Sequence, residues 1–373
     1  MRKSLWIVCF FLFCFSQSEA QVFSNKEVGK KNTELIDSLK KSEYPYVLPI
    51  WGKKVTEKGF DLPYSAGVSV QYFWQESDIV IENLKVGFNE GPMYDLDGLV
   101  RFDKAVATAS AISVRPDFWV FPFLDVYAIL GSTSASTDIG FGVWIPDSNN
   151  VDQEIFSAGS KVDFTATTVG FGMTPTIGVA GGFLALDMNV AWTDAPQLDK
   201  PAMSFVFGPR FGKNFKLKDP KKTIAVWVGG FRVKLNSATS GSMNLSDVLP
   251  VDEMGGKIED GFEKVGDAQE QVDTWWAGLT DEEQNNPINE AKYNRANAVL
   301  DRAGQILVSA DNALNSAANA TVQYSMDKRV KDAWNFLVGS QFQLNKHLML
   351  RVEAGFLGSR TQVMGGLQYR FGL

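Results

Sequence analysis

Charged residues in this 373-residue chain recur at every second position in several short segments, which places them on one face of a β-strand. Arg232 and Lys234 form one such pair, and Arg351 and Glu353 form another. Charged side chains of both signs that share one surface pair with each other or bind a charged ligand. The sequence therefore predicts a ligand-binding set made of Arg232, Lys234, Arg351 and Glu353.

Residues suited to catalysis are sparse. The single histidine, His347, directly follows a predicted two-residue turn at 345–346. A structural role is expected for it there. Both cysteines, Cys9 and Cys14, lie within the first 20 residues, so the rest of the chain has no thiol chemistry or cysteine metal ligation. We predict no catalytic residue, no metal site and no cofactor.

Three carboxylates keep an enzymatic alternative open. Asp78, Glu90 and Asp187 fall near the predicted outer ends of strands, where two close acidic groups could serve a hydrolase. A structural or adhesive surface protein is a further alternative.

Residues 1–20 predict a secretory signal. Arg2 and Lys3 precede an 11-residue apolar run at 5–15, and Ser18 and Ala20 supply small residues before a cleavage site. That run is too short to span a membrane as a helix, and no later stretch reaches about 18 apolar residues. The net charge of −7 argues against nucleic acid as a partner.

Ten segments alternate between apolar and polar residues with the period of two that is typical of β-strands. In 347–357, for example, Leu350 and Val352 share one face while Arg351 and Glu353 share the other. Segment 162–174 is ambiguous, because its phenylalanines fall on opposite faces. The predicted strands are 64–74, 100–114, 121–133, 162–174, 182–193, 203–212, 223–236, 334–344, 347–357 and 361–371.

The joins between these segments are longer at one end of the predicted sheet. Those at 75–99, 134–161 and 237–333 are long and fall on the same side. Membrane barrels have short periplasmic turns and long outer loops, so this side is predicted to be the outer one. Adding 77–87 and 319–327 as strands would give twelve but would move the long 134–161 join to the periplasmic side. Ten strands are therefore preferred, within a range of eight to twelve.

The pattern alone does not exclude a soluble β-sandwich, whose strands also alternate. Two observations favour a barrel in lipid: the loop asymmetry, and a final strand that alternates up to the last residue. A soluble domain rarely keeps such order at its terminus. Aromatic residues such as Trp74, Trp334 and Tyr369 also fall at predicted strand ends, as in an interfacial girdle. Charges of both signs are predicted to face the lumen: Arg101, Asp103, Asp125, Asp187, Arg210, Arg232, Lys234, Arg351, Glu353 and Arg370.

The C-terminal sequence LQYRFGL, residues 367–373, has aromatic residues at alternating positions and ends in a hydrophobic residue. It resembles the C-terminal strand of bacterial outer-membrane β-barrel proteins, and the resemblance covers about residues 60–373. It implies an all-β, up-and-down transmembrane barrel in the cell outer membrane. It also implies contact with outer-membrane lipid and recognition by the barrel-assembly machinery, and it names no specific activity.

Two parts of the chain are not predicted to be barrel. Residues 21–63 are expected to form a periplasmic tail or a plug in the lumen. Residues 237–333 are expected to carry an α-helical hairpin inserted in an outer loop of the barrel at 64–373. Its first helix is predicted at 257–279, a capping box at Thr280 and Glu283 follows, and a second helix extends over 288–317. The adjacent Trp275 and Trp276 could bind a partner, anchor at a membrane or pack inside the hairpin.

These features favour a barrel that binds a ligand or allows its restricted transport, with the hairpin as a lid or docking surface. Ten strands leave little space beyond their own side chains, so a wide aqueous pore is not expected.

Overall fold

The computed structural model describes residues 30–146, 151–196, 198–219, 221–235, 238–248, 251–316 and 320–373. The predicted secretory signal at 1–20 lies outside these residues. Within the described part of the chain, no helix combines the length and the apolar character needed to cross a membrane.

The fold is a closed antiparallel barrel of ten strands. The strands of the chain are β1 (Ala66–Phe88), β2 (Tyr94–Asp95), β3 (Val100–Phe121), β4 (Leu124–Pro146), β5 (Asp152–Val179), β6 (Gly182–Asp194), β7 (Ala202–Lys216), β8 (Thr223–Leu235), β9 (Ala238–Asn244), β10 (Thr321–Val330), β11 (Trp334–Gln343), β12 (Leu348–Phe356) and β13 (Arg360–Phe371). β1 pairs with β13 from Ala66↔Phe371 to Ser77↔Arg360, which closes the ring. The final strand is therefore ordered because it completes the barrel.

The ring contains all ten predicted segments, and β2, β9 and β10 lie outside it. The prediction that 75–99 is a loop is wrong, because β1 continues to Phe88. Its upper part leaves the ring and pairs with β10, which in turn pairs with β9. Residues 77–87 and 321–327 are thus strand, yet they build an outer extension and leave the ring count at ten; position 319 of the alternative segment 319–327 lies outside the described residues.

The joins are longer at the upper end, as predicted, but the prediction that 134–161 is a long loop is wrong, because β4 continues to Pro146 and β5 begins at Asp152. At the lower end, neighbouring strands of the ring are joined through 122–123, 180–181, 217–222 and 344–347. The upper end carries the joins at 89–99, 195–201 and the insertion between β8 and β11. The lower end also holds both the start of β1 and the end of β13, so it is the periplasmic end of the barrel. Upper and lower are used below in this sense.

An exposed apolar belt surrounds the lower half of the ring. Its side chains sit at alternate positions, with exposures that a water-soluble surface would not favour. Members include Val68, Val70 and Tyr72 of β1, Ile112 and Val114 of β3, Val169, Phe171 and Met173 of β5, and Leu350 and Val352 of β12. Aromatic pairs at the upper edge, such as Phe171 with Trp192 and Phe207 with Trp334, give the belt an interfacial boundary.

The insertion between β8 and β11 is a helical hairpin, as predicted. Its helices are α3 (Leu245–Val248), α4 (Val251–Ala277), α5 (Asp281–Gln284) and α6 (Pro287–Asn315), numbered after α1 (Lys30–Lys41) and α2 (Gly52–Thr56) near the N-terminus. The predicted capping box is present: the Glu283 amide donates to the Thr280 hydroxyl at 3.4 Å, and the Thr280 amide donates to the Glu283 carboxylate at 2.9 Å. It starts the short α5, and α6 begins at Pro287 with Asn286 as its cap.

The hairpin packs against the upper part of the barrel through one apolar cluster. Leu300 of α6 and Val272 of α4, both almost fully buried, meet Leu99, Ile145 and Ile155 of the barrel rim. The same side chains therefore hold α4 and α6 together and hold the hairpin against the barrel.

The two adjacent tryptophans lie near the tip of the hairpin. Trp276 stacks on Tyr293 of α6 with ring centroids 4.4 Å apart, and Trp275 contacts Trp276 at 6.1 Å. Both side chains are half-buried. The stack fastens α4 to α6, which is the hairpin-core alternative of the three that the sequence left open.

The segment that precedes β1 lies against the lower end of the barrel. The Val47 amide donates to the Leu373 carbonyl at 2.9 Å, and the Ile50 amide donates to the Val120 carbonyl at 2.9 Å. Tyr44 donates to the Leu48 carbonyl at 2.6 Å, and burial raises the pKa of Tyr44 to about 12. The segment is thus bonded both to the C-terminus and to the β3–β4 turn.

Candidate functional site

The interior of the barrel is divided into two cavities of opposite character. The upper cavity has a volume of about 570 Å³ and the lower one about 200 Å³. They have no lining residue in common. The upper cavity is called the chamber below.

The chamber is enclosed by the upper parts of the strands and by the helical hairpin. Nearly all of its lining is aliphatic or aromatic, and its volume is in the range of small-molecule sites, about 300–1,000 Å³. The strands contribute Ile81, Val86, Phe102, Ile139, Phe141, Val162 and Phe164, and the helices contribute Met254, Ile258, Ile306, Leu307 and Ala310. The hairpin therefore forms part of the binding surface itself.

Lys328 of β10 is the one charged residue among the described residues that line the chamber. It lies opposite Ile81 in the register of β10 and β1. Tyr324 and Met326, on the same face of β10, also line the chamber. Burial lowers the pKa of the Lys328 ammonium. Lys328 is not among the predicted site residues, because it lies within 237–333, which the sequence pattern indicates is a join between strands.

The lower cavity is polar and is surrounded by paired charges. Arg370 and Asp117 approach to 2.8 Å, and Arg115 lies over the Tyr127 ring with its guanidinium carbon 4.1 Å from the ring centroid. Further inward-facing polar groups are Ser69, Gln71, Asp125, Thr174, Gln341 and Gln368.

The centre of this charge network is Arg210. Its guanidinium lies 3.1 Å from an Asp187 carboxylate oxygen and 2.9 Å from a Glu353 carboxylate oxygen, and all three residues are buried. Tyr127 also donates to Asp187, and Arg351 bonds to Glu353 at 3.1 Å. Arg210, Asp187 and Glu353 thus each have a partner of opposite charge, which makes such groups tolerable inside a barrel.

Between the chamber and the lower cavity lies a set of buried or half-buried, inward-facing side chains that we call the middle layer. It consists of Phe231, Asn335, Leu337, Glu353, Arg360 and Gln362. Leu337 is fully buried, and Arg360 donates to the carbonyls of Phe231 and Ala333 at 3.3 Å. The layer comes from β8, β11, β12 and β13. On β8, Phe231 lies between Trp227, which lines the lower cavity, and Leu235, which lines the chamber.

The structure brings together two of the four predicted ligand-binding residues. Arg351 and Glu353 are bonded to each other on the lumen side. Arg232 and Lys234 lie on the opposite face of β8 and are exposed, because Trp227 and Phe231 occupy the inward positions of that strand. The expectation that Arg232 and Lys234 line the lumen is wrong: β8 places its aromatic residues inside.

The prediction that Arg101 and Asp103 face the lumen is also wrong. Arg101 and Asp103 are exposed on the outside of β3, where Arg101 pairs with Asp152. A bulge between Phe102 and Lys104 shifts the alternation, so Val100 and Phe102 face the chamber instead. The other assigned residues, Asp125, Asp187, Arg210, Arg351, Glu353 and Arg370, face the lower lumen or the middle layer.

The three carboxylates of the hydrolase alternative have separate surroundings. Asp78 is half-buried and its carboxylate lies 3.6 Å from the Lys331 ammonium, whereas Glu90 is exposed and its backbone amide donates to the Gln323 side chain. The prediction that Asp187 lies at the outer rim is wrong, because Asp187 is buried in the lumen beside Arg210. The rim therefore does not assemble a catalytic pair from these groups.

His347 lies in the lower β11–β12 turn. Its Nδ1 is 2.8 Å from the Arg370 carbonyl, and its ring lies against Tyr64 and Tyr369, with centroids 4.6 and 5.5 Å away. It joins the N-terminal segment to the final strand. Among the described residues, no three His, Cys, Asp or Glu side chains are grouped as a metal site would require.

Similarity to known proteins is low. No family model matches the chain, and no curated protein sequence matches it. Among solved structures, the β-domain of the Bordetella autotransporter BrkA matches 82% of this chain and 100% of its own, with 10% identity and a TM-score of 0.33. An outer-membrane channel from Pseudomonas putida F1 matches 83% of this chain and 97% of its own, with 8% identity and a TM-score of 0.28.

The transport unit of the autotransporter AIDA-I from Escherichia coli matches 83% of this chain and 90% of its own, with 7% identity and a TM-score of 0.30. These scores support no statement about ligand or activity. The closed ring, the exposed apolar belt and the paired charges within the lumen decide the class of the molecule. It is an outer-membrane β-barrel protein. The apolar belt surrounds the lower half of this barrel, and the chamber lies above the belt on the outer side.

Proposed function

We propose that this outer-membrane barrel binds a small apolar molecule in the chamber and that the filled lumen beneath restricts its passage. The observation that carries the proposal is the chamber itself: about 570 Å³, with an almost wholly apolar lining. A fold does not need a space of this size and composition for its own stability, since empty apolar volume weakens packing.

The hairpin is the lid of the proposed site. Ile306, Leu307 and Ala310 of α6 line the chamber, so a ligand contacts the helices as well as the strands. Entry then requires either movement of the hairpin or a path between it and the rim.

The proposal is tested by filling the chamber. N-phenylnaphthylamine, a neutral apolar dye, is titrated into the protein reconstituted in phosphatidylcholine nanodiscs. We expect Ala310→Phe, which places a ring in the chamber, to lower the dye affinity by about tenfold, or about 1.4 kcal/mol. Ala298→Phe is the matched control, because Ala298 is exposed on the same helix.

Equal affinity in both variants and the parent would place the dye elsewhere and contradict the proposal. Absence of dye binding in the parent would favour the structural or adhesive alternative.

For the N-terminal segment, 21–63, we propose a role as a cover of the periplasmic mouth. Support comes from its bonds to the C-terminus and to the β3–β4 turn, and from Pro63, which lines the lower cavity. Asp61 also pairs with Lys346 of the β11–β12 turn at 2.9 Å. Deleting residues 30–60 should increase labelling of a cysteine placed at Gln343 by a periplasmic thiol reagent, and unchanged labelling would contradict the proposed cover.

A further inference from the structure

Lys328 differs from the other charged residues around it. Asp327 accepts a hydrogen bond from Asn83 at 2.6 Å, Arg329 bonds to Glu82 at 3.0 Å, and Lys331 lies 3.6 Å from Asp78. Lys328, on the inward face, has no hydrogen-bond or ion-pair partner among the residues that the structure describes.

The surroundings of this ammonium make the missing partner significant. Its neighbours in the chamber include Ile81, Tyr324 and Met326, and none of the described lining residues is an acid. Taking a cation out of water without a counter-charge is costly, and burial lowers the pKa of Lys328 accordingly. An aliphatic residue at this position would avoid that cost and match the rest of the lining.

We infer that the ligand of the chamber is an amphiphile with a single anionic head, bound with the head at Lys328 and the tail among the apolar side chains. This inference rests on the proposed function and specifies its ligand class. The long apolar tail accounts for the lining, and the head supplies the counter-charge that the chain does not provide. Such a ligand would be oriented, because only one place in the described lining offers a charge.

The test compares two ligands of equal chain length that differ in charge. Hexadecanoate and hexadecanol are each used to displace N-phenylnaphthylamine from the protein in phosphatidylcholine nanodiscs. We expect hexadecanoate to displace the dye at about a tenfold lower concentration, the change expected for one hydrogen bond to a charged group. In Lys328→Gln this preference should disappear, whereas displacement by hexadecanol should not change.

Two controls keep the outcome specific. Lys328→Arg retains the charge and should retain most of the preference for the acid. Lys331→Gln removes an exposed charge from the same strand end and should leave the preference unchanged. Because both measurements use the same dye, a variant that fails to fold is recognised by loss of dye binding and is replaced by Lys328→Met.

The outcomes separate the two proposals. Equal displacement by the acid and the alcohol in the parent, with the dye bound, overturns the anionic head but leaves apolar binding in place. A preference for the acid that survives in both Lys328→Gln and Lys328→Met also overturns it. Failure of the parent to bind the dye overturns the proposed function, and the inference with it.

Discussion

The lower and upper halves of the same strands have opposite polarity. In the lower half of β3, Ile112 and Val114 face outward while Arg115 faces the lumen. In its upper half, Arg101 faces outward while Phe102 faces the chamber. β5 repeats the reversal: Phe171 is exposed in the belt and Phe164 lines the chamber.

The surroundings of each half explain the reversal. We infer that lipid surrounds the lower half of the ring, where apolar side chains are stable outside and charges must pair inside. In the upper half water surrounds the ring, so apolar side chains are stable only inside, as in a soluble protein. The same strands therefore form a membrane barrel in their lower halves and the wall of an apolar cavity, with water outside, in their upper halves. Each half should respond differently to substitution.

The largest effect is expected where charges are held inside the lower half. Arg210→Met removes the shared partner of Asp187 and Glu353 and leaves buried carboxylates short of a counter-charge. We expect a loss of about 3–5 kcal/mol in the free energy of unfolding, measured by urea titration in lipid vesicles.

Arg232→Met is the matched control for this prediction, because Arg232 is exposed on the outside of β8. Its cost should stay within about 0.5 kcal/mol. Similar losses for the two variants would mean that the buried and the exposed arginine contribute equally to the free energy of unfolding, and would contradict the prediction.

A smaller effect is expected in the upper half, where aliphatic packing holds the hairpin. Leu300→Ala removes the side chain that joins α6 to Leu99 and Val272. We expect the hairpin to open more readily by about 3 kcal/mol, seen as faster amide hydrogen exchange in α4 and α6 while exchange in β12 and β13 is unchanged.

Ile288→Ala is the control for the hairpin, since Ile288 is largely exposed on the same helix. Faster exchange throughout the ring in Leu300→Ala would show that the hairpin and the barrel are one cooperative unit, against the division described above.

The middle layer is expected to resist added volume. A Cβ on Gly355 would lie 2.5 Å from Cγ of Gln362 and 2.8 Å from Nδ2 of Asn335. Gly355→Ala should therefore cost about 2 kcal/mol of unfolding free energy. Gly365→Ala faces outward with no atom within 4 Å and should be neutral or slightly stabilising. If Gly355→Ala is as well tolerated, the layer is loosely packed.

The smallest effect concerns the capping box. Thr280→Ala removes the hydroxyl that caps α5 and should make the hairpin tip open more readily by about 1 kcal/mol. Hydrogen bonds from the Thr280 backbone and side chain lower the pKa of Glu283. The contribution of Glu283 is therefore complete above its unfolded pKa and is lost as pH falls through the folded value. Hydrogen exchange at the tip, corrected for intrinsic rates, should show a smaller difference between the variant and the parent in acid than at neutral pH.

The sequence predicts the ring well because alternation and loop asymmetry act at short range. All ten strands, the hairpin and the capping box follow from local patterns. The upper ends of the strands do not, because β1 continues past Asp78 mainly by pairing with β10, which comes more than 230 residues later in the chain. Long-range pairing of this kind leaves no local signal.

The site is harder to predict because alternation does not say which face is inside. Arg232 and Lys234 follow the same period as Arg351 and Glu353, yet they face outward. Polarity reverses along the strands, and the bulge at Phe102 shifts the alternation. A rule for inward-facing residues that holds in one half of the barrel therefore fails in the other half. Lys328 could have been found only by treating 321–330 as a strand whose apolar face points into a cavity.

We propose that the middle layer and the paired charges close the lumen beneath the chamber. This closure is tested most directly by planar-bilayer conductance of the parent protein and of a variant in which a short Gly-Ser linker replaces residues 251–315. We expect neither to conduct, because removing the hairpin uncovers the chamber and leaves the layer below it intact. Stepwise currents in the deletion variant would contradict the account and would show a continuous path that the hairpin alone closes.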